Sequence, residues 1–214
     1  MTDELSEPTD GAPSHGRRVD REAAILAAAA REFCVAGFAN AKLDAIAARA
    51  GVAKGTIYLY FDTKEDLLKA AVRRLVHPLI EDIERSVAEY QGPTEELLRI
   101  AVGHLHRNMV DSADMRELIR LLLAEGSRIP EMSEFFTKEI LARGCATFRM
   151  ILWRGIAQGE FRHSPAVDYP ELIIAGAKSA AMSILLLGPA AREADPAYRE
   201  AHVNFILDAL RVPK

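Results

Sequence analysis

Ala47 and Gly51, four residues apart between two short apolar patterns, constrain this chain more than any other feature. A methyl side chain at the first position lets two helices cross closely. At the second, Gly takes the positive φ of a tight turn, which other residues reach only at a cost. Leu43 and Ile46 precede the turn, and Val52 and Ile57 follow it, so each short helix has one apolar face. Neither can bury that face alone, and a flanking helix on each side has to complete the core. The first flanking helix, over about 20–36, repeats Ile25, Ala29, Phe33 and Ala36 at spacings of three and four and stops at Gly37. The other opens at Asp62-Thr63, ahead of Lys64-Glu65-Asp66-Leu67-Leu68. There a side-chain oxygen can cap free N–H groups, and acids favour the first turn.

The rest of the chain reads as helix after helix. No sustained period-2 alternation and no Asn-Gly or Asp-Gly hairpin turn occurs, so the fold class is all-α. The helix from Lys64 extends to about Tyr90, with Pro78 expected to kink or divide it near His77. Further helices are expected over about 94–110, 113–125, 130–158, 168–187 and 196–210. With the two short helices and their flanks this makes about nine. The domain reading is a disordered tail at 1–16, a helix-turn-helix unit at 17–66 and a helical body at 67–214.

Charge divides along the same lines. The chain carries 27 Lys+Arg against 31 Asp+Glu. Residues 1–15 hold four acids and no Lys or Arg, residues 16–77 hold eleven bases and seven acids, and the remainder holds sixteen bases and twenty acids. A basic module joined to an acidic body hints at a polyanionic partner for the module, although an ordinary solvated surface would give the same count. The two cysteines, Cys34 and Cys145, are too few for a disulfide framework or a zinc site and are expected to be reduced. The acidic start is not a signal peptide. The most apolar run, Leu172 to Leu187, is too short for a span and contains Lys178, so no membrane association is expected.

A helix-turn-helix places its second helix in the DNA major groove, which admits one α-helix. Five fragments then carry a joint resemblance. They are Gly37-Phe38, Ile46-Ala47, Ala50-Gly51-Val52, Gly55-Thr56-Ile57-Tyr58-Leu59-Tyr60-Phe61 and Lys64-Glu65-Asp66-Leu67, with Ala47 and Gly51 at the helix-turn-helix spacing. Over about residues 20–70 the segment resembles the DNA-binding domain of the TetR (tetracycline repressor) family of bacterial regulators. Farther on, Glu125-Gly126 before Pro130, and Arg154-Gly155-Ile156-Ala157 before Gly159-Glu160-Phe161, resemble a common C-terminal subtype of that family. Two positions depart from the pattern. Ala41-Lys42 stands where Thr or Ser usually opens the second helix, and Ala53 where Ser usually precedes the third.

The resemblance implies a DNA face formed by Lys42, Lys54, Gly55, Thr56, Tyr58, Tyr60 and Lys64. Lys54 would meet a phosphate or a guanine edge, and Lys42 a phosphate in place of the missing hydroxyl. Gly55 allows close approach, and Thr56 reads a base or packs on a thymine methyl. Tyr58, Tyr60 and Lys64 would contact phosphates, with Tyr58 as domain core the alternative, while Phe61 is expected in the core. Arg17 and Arg18 are either a minor-groove arm or part of a solvated tail. The resemblance also implies a homodimer on a palindromic double-stranded operator, joined through the helix at 172–187 and the last helix. It implies a small-molecule effector. With no targeting or membrane segment read, a cytoplasmic location is expected, and with no nucleophile elbow or phosphate loop in the sequence the protein is not expected to be an enzyme.

In the body, His104 and Asn108 share a face with Leu97, Ala101 and Leu105. They orient a ligand in an apolar pocket, or they are hydrogen-bonded core groups. Leu122, Phe148, Trp153 and Met182 are candidate linings of that pocket or plain core. His104 and His106, two apart, fall on different helix faces, and no metal or cofactor is expected. Cys145 is either a redox sensor or a buried inert thiol. The reading is a repressor released from DNA by a small apolar or amphipathic ligand. The alternative is a small-molecule-binding helical protein or enzyme whose DNA-binding module is degenerate, a reading that rests on Ala41 and Ala53.

Overall fold

The computed structural model describes residues 15–126 and 129–213. The tail expected over 1–16 therefore lies outside the described residues except for His15 and Gly16, which already belong to the first helix. In chain order the helices are α1 (His15–Asn40), α2 (Leu43–Ala50), α3 (Lys54–Tyr58), α4 (Lys64–Glu89), α5 (Thr94–His106), α6 (Ala113–Glu125), α7 (Pro130–Phe135), α8 (Ala142–Ala157), α9 (Pro165–Asp168), α10 (Glu171–Leu187) and α11 (Pro196–Leu210). A π-helical turn, Arg107–Asp111, extends α5, and a second, Phe136–Leu141, joins α7 to α8 without a break. Counted as continuous rods these are the nine helices expected, plus the four-residue α9. Among the described residues there is no strand, only an isolated antiparallel bridge between Phe161 and Arg211.

Glycine marks the two sharp turns of the head. Gly37 has φ 76° and ends the straight part of α1. Gly51 has φ 67° and ψ 33°, and its N–H reaches back to the carbonyls of Ala47 and Ala48 to close α2. Ile25, Phe33, Ile46, Ala47, Ile57 and Phe61 fill the space between α1, α2 and α3. Leu67, Leu68, Ala71 and Val72 of α4 are buried in the same cluster, so the first turns of α4 are part of the head core. Phe61 is core, as expected.

α4 continues past Pro78 undivided, so of the two outcomes expected there the division does not occur. Proline removes one N–H and so leaves the Arg74 carbonyl without its helical donor. Pro78 and Arg74 are both exposed, which lets water take that place. At about 1.5 Å per residue, the 26-residue α4 spans about 39 Å. Its lower half, Val76, Leu79, Ile80 and Ile83, is buried against the body.

The motif at 154–161 locks the body together. The Arg154 guanidinium donates to the carbonyls of Tyr90 (2.7 Å) and Gly92 (3.1 Å) just beyond α4. Gly155 leaves room for the Phe161 ring, which a Cβ there would meet at 2.1 Å. Glu160 accepts from the N–H groups of Thr94 (2.9 Å) and Glu95 (3.0 Å), placing a carboxylate on the positive end of α5.

Candidate nucleic-acid interface and body cavity

Lys54, Gly55 and Tyr58 are exposed on one side of the head, and Thr56 is partly exposed among them. Buried Ile57 holds α3 to the core, which fixes the opposite side outward. The Lys54 ammonium lies 3.0 Å from an Asp44 carboxylate oxygen of α2, and this bond raises its pKa. Lys42 is exposed at the start of α2. Tyr60 and Lys64 are already engaged within the protein. The Tyr60 hydroxyl donates to the Arg18 carbonyl (3.3 Å), and the Arg18 guanidinium sits over its ring. Lys64 donates to the Ala39 carbonyl (3.3 Å) and lies 4.8 Å from the centre of the Phe38 ring. Arg17 and Arg18 are exposed in the first turn of α1 and so are not part of an irregular tail.

The two departures from the pattern have a visible result. The N-cap of α2 falls on Lys42 and that of α3 on Ala53, and neither receives a side-chain hydrogen bond. Glu32 of α1 partly substitutes at α2, accepting from the Lys42 N–H at 3.4 Å. Ala41 itself is buried. By contrast Thr63 caps α4 through a bond from the Asp66 N–H (3.0 Å), as its sequence suggests.

The body holds an apolar cavity of about 90 Å³, open to solvent along part of its rim. α4 contributes Val76, Leu79, Ile80 and Ile83 to its wall, and α6 contributes Met115, Leu118, Ile119 and Leu122. Both π-turns reach it, the first with Met109 and the second with Phe136, Ile140 and Leu141. Such wide turns re-aim side chains and recur at functional sites. Phe148 and Thr147 come from α8, and Ile174 and Lys178 from α10.

Of the body residues expected to line a pocket, Leu122 and Phe148 do so and four do not. His104 is half-buried outside the cavity, where burial lowers its pKa. Asn108 turns back to donate to the His104 carbonyl (2.9 Å). Trp153 is half exposed beside His163, and Met182 faces outward from α10. The face shared by His104 and Asn108 is real, but the cavity lies on the Leu105 side of the helix. Met109 and the 136–141 wall were missed because a π-turn shifts the helical phase, which a period of 3.6 does not anticipate.

The neighbouring histidine is the buried one. His106 of α5 is 3% exposed, and its Nε2 lies 2.9 Å from Nδ1 of His202 on α11. Burial pushes the His106 pKa down to about 4 and lowers that of His202 as well. Among the described residues, no three His, Cys, Asp or Glu side chains are placed to hold a metal ion. Both thiols are free. Burial raises Cys34 to about 11 and also raises Cys145, so neither is primed as a nucleophile.

α10 and α11 present an apolar surface outward. Leu172, Met182, Leu186 and Leu187 are exposed on α10, and Phe205 is 76% exposed on α11. Small residues Ala175 and Ser179 are exposed between them. No helix of the described residues is long and apolar enough to cross a membrane.

Comparison with known proteins follows these two regions. Residues 25–71 match the family described as bacterial regulatory proteins, tetR family. Residues 95–208 match the C-terminal domain of the AefR-like transcriptional repressors. A fatty acid metabolism regulator of Bacillus subtilis is 35% identical over 80 residues, which is 37% of this chain and 41% of that protein. The FadR regulator of B. subtilis, solved in complex with stearoyl-CoA, superposes with a TM-score of 0.75 at 22% identity, over 87% of this chain and 98% of that one. A transcriptional regulator from Saccharomonospora viridis, solved in complex with choline, superposes with a TM-score of 0.72 at 20% identity, over 91% and 100%. With one match covering the head and its entry into α4, and the other more than half of the chain, this protein belongs to the TetR family of bacterial transcriptional regulators.

Proposed function

We propose that this regulator is a homodimeric repressor that binds a palindromic operator and is released by a small apolar or amphipathic ligand in the body cavity. One observation carries the reading: α4 is a single helix whose upper turns lie in the head core and whose lower turns form a cavity wall. A ligand that fits the cavity better in one position of α4 shifts the head with it. Only such a difference in affinity between two states can move the equilibrium.

The exposed apolar strip of α10 and α11 supports pairing with a second copy, since a patch of that size is unfavourable in water. Two copies present two α3 helices to successive major-groove segments, with Lys42, Lys54, Gly55, Thr56, Tyr58, Tyr60 and Lys64 as the contacting set. A regulator acting on bacterial DNA works in the cytoplasm. The two solved neighbours hold chemically opposite ligands, an acyl thioester and a quaternary ammonium, so the lining of this cavity has to decide the chemistry.

Binding of the full chain to its own upstream DNA and to fragments selected from random sequence, followed by fluorescence anisotropy across a salt series, tests the reading. Specific binding with a steep salt slope is expected. Binding to every fragment no tighter than to random DNA overturns it.

A further inference from the structure

We propose that the cavity takes a single aliphatic chain bearing an anionic head group, with the chain among the apolar walls and the head at Lys178. This rests on the cavity being the effector site and adds the chemistry of its occupant.

Two lining side chains carry polar atoms, Thr147 and Lys178. The Thr147 hydroxyl is committed, since it donates to the Arg143 carbonyl one turn back on α8 (3.0 Å). Lys178 has no ion-pair partner among the described residues. Its residue is exposed while contributing to the lining, so Lys178 stands at the boundary between the apolar chamber and water, where a long side chain can keep its charge solvated. The nearest acid on the same face of α10, Glu171, is two turns away and turned to the Cys145 thiol (3.9 Å). One unpaired cation at the edge of an otherwise apolar chamber is complementary to one anion on a hydrocarbon chain.

The same lining argues against a cationic occupant. It contains no carboxylate, and its two aromatic rings, Phe136 and Phe148, do not make the several-sided cage that holds a quaternary ammonium. A neutral chain would fill the space but leave Lys178 without a role. Because Lys178 and the outward strip share α10, the charged head would sit on the helix that also carries the proposed dimer contact.

The test holds the chain constant and varies the head. Isothermal titration of the full-length protein is carried out with decanoate, decanoyl-CoA, decanol and decyltrimethylammonium, and repeated with Lys178→Met and Leu122→Trp. Thermal melts check that both variants fold. At least one anionic probe should bind tenfold or more tighter than decanol and the ammonium. Lys178→Met should shrink that gap to threefold or less. Decanoate preferred over decanoyl-CoA identifies a free acid as the source of the head, and the reverse identifies a thioester. Equal binding of all four, tighter binding of the ammonium, or an anion preference that survives Lys178→Met overturns the head-group assignment. In that event, loss of all binding in Leu122→Trp leaves the cavity itself standing as the site. Binding that ignores Leu122→Trp, or no binding by any probe, removes the cavity reading and the proposal together.

Discussion

An Asp44 carboxylate oxygen lies 3.0 Å from the Lys54 ammonium, so the lysine proposed to meet DNA is already paired across the turn. Both groups are exposed, and such surface pairs contribute little to stability. Their effect is on binding: the acid adds repulsion next to a polyanion and competes for the lysine. Asp44→Asn should tighten DNA binding severalfold, on specific and random sequence alike. Lys54→Ala should weaken it and reduce the log–log salt slope by about 1, the signature of one phosphate contact. Anisotropy titrations at several salt concentrations check both, and an Asp44→Asn variant that binds no tighter would show that the pair opens without cost.

The uncapped start of α3 gives a second test. Ala53 already has the extended backbone of an N-cap, φ −71° and ψ 147°, but no side-chain oxygen. Ala53→Ser adds one without altering that backbone. It should stabilise the head by about 1 kcal/mol, the usual worth of a cap, seen as a higher Tm of the full chain. The new hydroxyl faces the side expected to meet phosphate, so DNA affinity should rise as well. A raised Tm with unchanged affinity would place the hydroxyl away from the backbone.

The head was legible because its physics is local. Gly51 needs a positive φ, Ala47 has to be small, and Thr63 caps the helix that follows it. The nine-rod layout was legible for the same reason, each rod carrying its own period and stop signal. The cavity was not. Its wall is assembled from α4, α5, α6, α8, α10 and two π-turns, and no local period reveals that Met109 and Ile140 face one space. Pro78 misled because a freed carbonyl matters only where water cannot reach it, and exposure is a tertiary property.

Glu160 supplies a third prediction. Its carboxylate bonds two free N–H groups at the start of α5 from 65 and 66 residues away in sequence. Glu160→Ala removes a cap and a favourable charge at the helix N-terminus, at a cost of about 1–2 kcal/mol. Glu160→Gln keeps an acceptor and should recover roughly half of that loss. Denaturant melts of the three proteins check the order, and an alanine variant as stable as the parent would show that water caps α5 equally well.

The outward strip of α10 and α11 predicts the assembly. Phe205 is 76% and Leu186 80% exposed, and both are large and apolar. Phe205→Glu and Leu186→Glu should leave the protomer folded, because neither side chain is part of its core. Each should convert a dimer to a monomer at micromolar concentration and weaken operator binding at least tenfold by separating the two heads. Sedimentation velocity and anisotropy report the two effects. A parent protein that sediments as a monomer would remove the pairing role of this face.

The His106–His202 pair sets a pH dependence whose sign follows from burial. In the unfolded chain a histidine takes up its proton near 6.5, whereas His106 in the folded chain does so only at about 4. Between those values the unfolded state binds more protons, so stability is full above pH 6.5 and falls as the pH drops toward 4. The loss should reach about 2–3 kcal/mol over that window. His202 and Arg199 deepen the effect and Asp111 opposes it. His106→Gln keeps a polar partner for His202 without a titrating ring, and it should flatten most of the slope in melts between pH 7 and 4.5. The pair is also tightly enclosed: a Cβ at Gly176 of α10 would meet His202 Nε2 at 2.3 Å. Gly176→Ala should therefore destabilise the protein by about 1–3 kcal/mol at pH 7, the cost of overpacking a filled site. A pH slope unchanged in His106→Gln would mean that other groups carry the acid sensitivity.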